Sequence, residues 1–197
     1  MTTPADIITT VRSIYGDTVA AYRKPDTELL GYVNEGMREI SSLNPALFAT
    51  IGDMICTVGA VEQAVTFPDA QALIAVLCVH GGAALTPFDI NAMNMFNPSW
   101  RADTAGAAKQ WGRLPSDPLR FFIYPKAPAT AQTLDLQYIR NPTVLALSDP
   151  ITEIPTGFMP ALADYVVYRV ESSDDEHSNS GRATAHYQMF VSKVKGA

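Results

Sequence analysis

An α+β fold, a helical bundle formed by the N- and C-terminal helices with a central antiparallel β insertion, is what this sequence predicts, and three observations carry it. Residues 1–45 and 156–197 repeat apolar side chains at spacings of three and four, the period of a buried helix face. Residues 46–155 change to a period near two, with runs of Val, Ile, Leu and Phe between turn residues. Fourteen prolines and twelve glycines in 197 residues demand many turns, while 47% hydrophobic and 17% charged residues are the composition of a packed chain. A chain this long buries a core without disulfides or metals, and a single compact chain is expected.

The first helix begins at Thr3, whose hydroxyl can cap a turn opened by Pro4, with Asp6 three residues past the cap. Ile7, Ile8, Val11, Ile14 and Tyr15 form its stripe, and Gly16 stops it. A polar connection, Asp17 to Lys24, leads to the central helix between Pro25 and Pro45, where Leu29, Leu30, Val33, Met37, Ile40 and Leu43 share one face. Asp26 is placed to cap its first turn, Glu28 lies near the positive end of the dipole, and Asn44 before Pro45 is pushed out of the α region. Gly31 and Gly36 each cost about 1 kcal/mol relative to alanine, which close packing against another backbone would offset.

Ile51 to Val58 and Val61 to Phe67 then read as strands joined across Gly59-Ala60. Leu73 to His80 reads as a strand buried on both faces, with His80 a satisfied polar residue at its end. Thr86-Pro87-Phe88-Asp89 repeats the Thr-Pro-x-Asp start of the first helix, so a short helix should open there, carry Phe88, Met93 and Phe96, and end at Asn97-Pro98. Ser99 to Leu119 lacks periodicity and reads as a long loop. Trp100 and Trp111 within it favour an interface, the alternative being rings folded back onto the sheet. Arg120 to Tyr124 and Thr133 to Ile139 read as an antiparallel pair with one wet face, and Asn141 to Gly157 as an extended return. Met159 to Val170 is helical, with Leu162, Tyr165, Val166 and Arg169 on one side and Pro160 tolerated in the first turn. Asp174, Asp175 and Glu176 should open the last helix at its dipole-positive end, Lys193 and Lys195 sit at its negative end, and Ala183, Tyr187, Phe190, Val191 and Val194 form its stripe.

Several functions find no support in the residues. The net charge of −6 is spread evenly, with 6 acids to 4 bases through Pro45, 9 to 6 through Pro155 and 5 to 4 beyond, so no basic face exists to grip phosphates. There is no GxxxxGK[ST] or GxGxxG cradle and no GxSxG elbow. His177 and His186 are nine apart and His80 is alone, so no zinc-ligand spacing is written, and the Asp174-Asp175-Glu176-His177 run is better read as a helix cap than as cation ligands. Cys56 and Cys78 read as buried reduced thiols without an activating histidine. The N-terminus lacks the pattern of a signal peptide, and the longest apolar run, Ala72 to Val79, is too short to span a bilayer. A soluble, non-enzymatic protein with no catalytic residues, metal ligands or cofactors is therefore expected.

Four stretches carry a resemblance. Asp26-Thr27-Glu28-Leu29-Leu30 with Tyr32 to Gly36 and Arg38-Glu39-Ile40, then Asn97-Pro98-Ser99-Trp100, then Phe121 to Pro125, then Ala185 to Phe190, follow one another as in the head-to-tail adaptor (connector) proteins of tailed bacteriophages. The chain resembles that family over roughly Pro25 to Phe190, departing from it at the Ala/Gly-rich stretch Ala102 to Gly112 and the apolar Ala72 to Val79. The resemblance implies a virion structural protein forming a ring, commonly of twelve copies, that joins the portal protein to a tail or nozzle protein, with DNA passing through the lumen. It also implies a neck or tail location in the virion and the host cytoplasm during assembly. On this reading Arg182, Tyr187, Phe190, Lys193 and Lys195 form the portal interface, the alternative being that the same stripe packs on Leu162 and Val166 of the preceding helix, while Trp100, Arg101, Trp111 and Arg113 face the tail or a neighbouring subunit. The mild acidity suits a channel that should not hold DNA back. A non-enzymatic interaction module, or another neck or tail component, is the alternative.

Overall fold

The computed structural model describes residues 1–19, 22–173 and 179–196. In chain order its elements are α1 (Pro4–Tyr15), α2 (Asp26–Leu43), β1 (Ala49–Ile55), β2 (Glu62–Ala64), β3 (Ala70–Val79), β4 (Thr86–Pro87), α3 (Ile90–Phe96), β5 (Gln110–Arg113), β6 (Arg120–Tyr124), β7 (Thr133–Arg140), α4 (Met159–Ser173) and α5 (Ser180–Lys195). The architecture is mixed α+β and divides into two compact units: Met1–Phe48 with Pro142–Ala197, and Ala49–Asn141.

In the helical unit the capping box of α1 forms as its residues dictate. The Thr3 side chain accepts from the Asp6 amide, and the Asp6 carboxylate accepts from the Thr3 amide at 2.8 Å. Gly16, at φ 78°, takes the left-handed position that ends the helix. Ile7, Ile8 and Val11 are buried, as are Leu29, Val33, Met37 and Ile40 of α2. Asp26 does not cap α2. It is the first helical residue after Pro25, and its carboxylate instead accepts from the buried Arg12, which also pairs with Asp17 at 2.9 Å and donates to the Lys24 carbonyl. One guanidinium thus gathers both ends of the connection between α1 and α2. Gly36 lies where a Cβ would meet Leu162 of α4 at 2.6 Å and Tyr165 at 2.9 Å, so its absent side chain permits a close helix approach; Gly31 faces open space.

α4 is buried on most sides, with Ala161, Leu162, Val166, Val167 and Val170 in the interior, and it packs on α1, α2 and α5. The extended return joins this unit through the side chain of Asn34, which donates to the Leu145 carbonyl (3.1 Å) and accepts from the Leu145 amide (2.7 Å). A buried amide with both ends bonded in this way satisfies backbone that would otherwise be orphaned.

The β unit holds two sheets. β1, β7 and β3 pair antiparallel in that order; β2, β6, β5 and β4 form the second sheet, antiparallel except for the β4–β5 pair. Two pairings and the burial of one strand differ from the sequence reading. β1 and β2 do not form a hairpin, because the buried Gln63 side chain accepts from the Thr57 amide and donates to the Thr57 and Ala60 carbonyls, building a turn that carries the chain from one sheet to the other. β6 and β7 do not pair either. Phe121, Phe122 and Ile123 are buried in succession, so both faces of β6 are covered, and the strand lies inside the second sheet between β2 and β5. β7 keeps its alternation, with Leu134, Leu136 and Tyr138 inward, and lies at the centre of the three-stranded sheet. β3 is an edge strand in which only Leu73 and Val76 are buried, not a strand covered on both faces.

The segment after β3 also departs from expectation. Thr86–Pro87 is a short strand beside β5, and the cap of α3 is Asp89, whose Oδ1 accepts from the amides of Asn91 and Ala92. Phe96 of α3 is 88% exposed. Residues 99–119 are not a structureless loop, since Trp100–Ala102 forms a 3-10 turn and Gln110–Arg113 is β5. The core of this unit gathers Met54, Leu73, Val76, Trp111, Phe121, Ile123, Leu134 and Leu136 from both sheets.

Candidate interaction surfaces and a carboxylate–histidine cluster

The C-terminal helix turns its apolar stripe inward. Asn179 caps α5 by accepting from the Arg182 amide; the acidic residues Asp174 to Glu176 and His177 expected to open it lie outside the described residues. Phe190 is fully buried with its ring 5.1 Å from that of Tyr165, and Ala183 and Val194 are buried beside it. Phe190 is therefore an interior residue of the helical unit and offers no surface to a partner, because α4 supplies the aromatic and aliphatic wall it packs on. Tyr187 is half-buried against Tyr168, and its hydroxyl donates to Glu39 (3.2 Å). The cations of this helix are mostly engaged within the unit. Lys193 pairs with the buried Asp164, which His186 also contacts at 2.9 Å, and Arg182 pairs with Glu171 and donates to the Ile14 carbonyl. Arg182, Met189 and Lys195 remain on the outer face.

Neither tryptophan of residues 99–119 is a surface anchor. Trp100 is completely buried, its ring edge-on to Phe88, Phe122 and Tyr124 at 5.5, 5.7 and 6.3 Å, and its indole N–H donates to Asn94 (2.9 Å). Trp111 belongs to the core described above. The arginines beside them hold the surface instead. Arg101 stacks its guanidinium 4.5 Å from the Trp100 ring, and Arg113 donates to the Ile74 carbonyl (2.6 Å). Both border an open cavity of about 630 Å³ whose apolar walls are Phe88, Ile90 and Phe122.

A third arrangement is one that the sequence reading missed. The β1–β7 register sets Asp53 directly opposite Asp135, and the β7–β3 register sets Cys78 opposite Asp135 on the other side. His80, one residue past β3, is tied to β7 by its amide, which donates to the Thr133 carbonyl (3.0 Å). Its Nδ1 lies 2.8 Å from Asp135 and 3.8 Å from Asp53. The Cys78 thiol donates to the other Asp135 oxygen at 3.1 Å. Those two hydrogen bonds, from Cys78 first and His80 second, lower the Asp135 pKa; conversely the bond to Asp135 raises that of His80 and that of the Cys78 thiol. His80 reads as isolated in sequence because its neighbours arrive from two other strands. The one available signal was the wet-face position of Asp135 in the alternation of β7.

In comparison with known families, the SU10 adaptor protein family matches residues 2–197, spanning both units. The chain belongs to the SU10 adaptor protein family. No curated protein matches it. As an SU10 adaptor protein it is a phage structural adaptor, a component of the virion neck or tail. Its Asn97-Pro98-Ser99-Trp100 element makes the turn after α3 that delivers Trp100 to the interior, where the Asn97 side chain also donates to Asp103 at 2.9 Å. Trp100, Trp111 and Phe190 of this SU10 adaptor protein thus pack inside its units.

Proposed function

We propose that this protein is the head-to-tail adaptor of its virion, forming a ring, commonly of twelve copies, that joins the portal to the tail or nozzle protein while DNA passes through the lumen. The family match along residues 2–197 carries the proposal, since it takes in the helical and the β unit together. The helical unit engages the portal through the outer face of α5, with Arg182 and Lys195 as rim cations around the half-buried Tyr187 and beside Lys193. The β unit engages the tail or a neighbouring copy around Arg101 and Arg113, where the apolar cavity can receive a side chain. A ring also needs two different complementary patches on each copy, one for each neighbour, in addition to the surface that meets the portal. The net charge of −6 leaves the lumen without a general attraction for phosphates.

The test is sedimentation of the purified chain alone and with purified portal rings. Co-sedimentation as a ring-on-ring complex, with class averages showing rotational symmetry, is the expected result. A chain that stays monomeric and separate from portal at all protein ratios would overturn the proposal.

A further inference from the structure

We infer that Asp53, His80 and Asp135 form a binding site for one divalent transition-metal cation of the zinc class, on the open face of the three-stranded sheet. Three features of the β unit lead there, independently of the adaptor role. The first is electrostatic: two carboxylates placed directly opposite on adjacent strands repel, and the structure sets a single imidazole against them. A dication between them offsets two negative charges, where a protonated imidazole offsets one.

The second is geometric. Asp53, His80 and Asp135 each present one ligand atom, and these atoms lie within 4.8 Å of one another. Ligands held at about 2.0–2.2 Å from one ion stand roughly 3–3.5 Å apart, so side-chain rotations that move the ligand atoms by roughly 1 Å close the set. The side chains come from rigid positions: Asp53 and Asp135 from paired strands, and His80 from a backbone held by Thr133 and followed by the left-handed Gly81. Asp53 and His80 are each more than half exposed, leaving the outer coordination positions open to water.

The third is the donor set. One imidazole nitrogen with two carboxylate oxygens favours zinc, cobalt or manganese over magnesium and calcium, which prefer oxygen alone. Cys78 fits as the partner that orients Asp135, since its thiol occupies the carboxylate oxygen that His80 does not. The expectation of no metal ligands rested on spacing along the chain; the site is assembled across three strands instead.

The experiment is calorimetric titration of the chelator-treated full chain with Zn²⁺, repeated with Co²⁺ while its visible absorption is recorded. One Zn²⁺ per chain is expected, with Co²⁺ bands showing nitrogen and oxygen ligation and Mg²⁺ failing to compete at tenfold excess. Asp53→Asn and His80→Ala should each weaken Zn²⁺ at least about tenfold, while His186→Ala, in the helical unit, leaves it unchanged. Both test substitutions fall on exposed side chains, and melting curves without metal confirm that the variants fold. Equal Zn²⁺ affinity for the parent chain, Asp53→Asn and His80→Ala, or displacement by equimolar Mg²⁺, would overturn the inference.

Discussion

Arg12 ties α1 to α2, because its partners span the connection between them. Its guanidinium and the Asp17 carboxylate are both buried and 2.9 Å apart. Removing one member of such a pair leaves the other charged and without water, so Arg12→Ala should destabilise the chain by about 3–5 kcal/mol in denaturant unfolding. A loss below about 1 kcal/mol would mean that water reaches Asp17. The two glycines of α2 make a sharper comparison, since helix propensity treats them alike. Gly31→Ala should stabilise by about 0.5–1 kcal/mol, because nothing lies within 4 Å of the added methyl. Gly36→Ala should destabilise by about 1–3 kcal/mol, because its methyl meets Leu162 and Tyr165 inside van der Waals distance. Opposite signs in urea melts of the two variants test the close approach of α2 and α4. Phe190, legible in sequence only as part of an aromatic stripe, shows the limit of reading one residue at a time: spacing leaves open whether the stripe packs on α4 or faces a partner, and for Phe190 burial against Tyr165 decides it.

Among the elements, the helices were legible because their signals are local. The capping box at Thr3, the left-handed Gly16 and the period of α2 are all written within a few residues of where they act. The Asp6 carboxylate is held below its ordinary pKa mainly by the Thr3 amide, so it contributes stability above the unfolded value and loses it as pH falls through the lowered folded value. In Thr3→Val the backbone bond loses its reciprocal hydroxyl, and the Asp6 pKa read by NMR should move up toward 3.8. Strand pairing was not legible, because the register of β1, β7 and β3 joins segments dozens of residues apart and depends on which faces need cover. The carboxylate–histidine cluster exists only in that register, which is why spacing along the chain could not reveal it. For α5 the burial pattern changes the useful experiment. Val194 is fully buried, so deleting the last turn would damage the unit along with any interface. Lys195→Glu is the cleaner probe. It should lower stability only by about 0.3–1 kcal/mol, the cost of a carboxylate at a helix C-terminus, and slow association with portal rings in surface-binding measurements, with the difference fading at high salt. Unaltered association at low salt would move the portal contact away from α5.

Taken whole, the protein is one chain that leaves a helical unit at Phe48, builds a β unit, and returns at Pro142. The β unit is continuous in sequence; the helical unit is split. That asymmetry has a consequence for biosynthesis. The face of α2 built from Leu29, Val33, Met37 and Ile40 is shielded in part by α4, which begins only at Met159. At about 5–20 residues per second, a ribosome takes on the order of ten seconds to translate the residues in between. During that interval the first two helices have emerged with an apolar surface and no partner, while the β unit can close as soon as β7 clears the exit tunnel. On this timing the β unit can mature first, and the helical unit is completed only when α4 and α5 have been translated after it. A nascent copy would carry an uncovered α2 until then, so an early encounter with a sister chain risks exchanging helices between them rather than docking finished subunits.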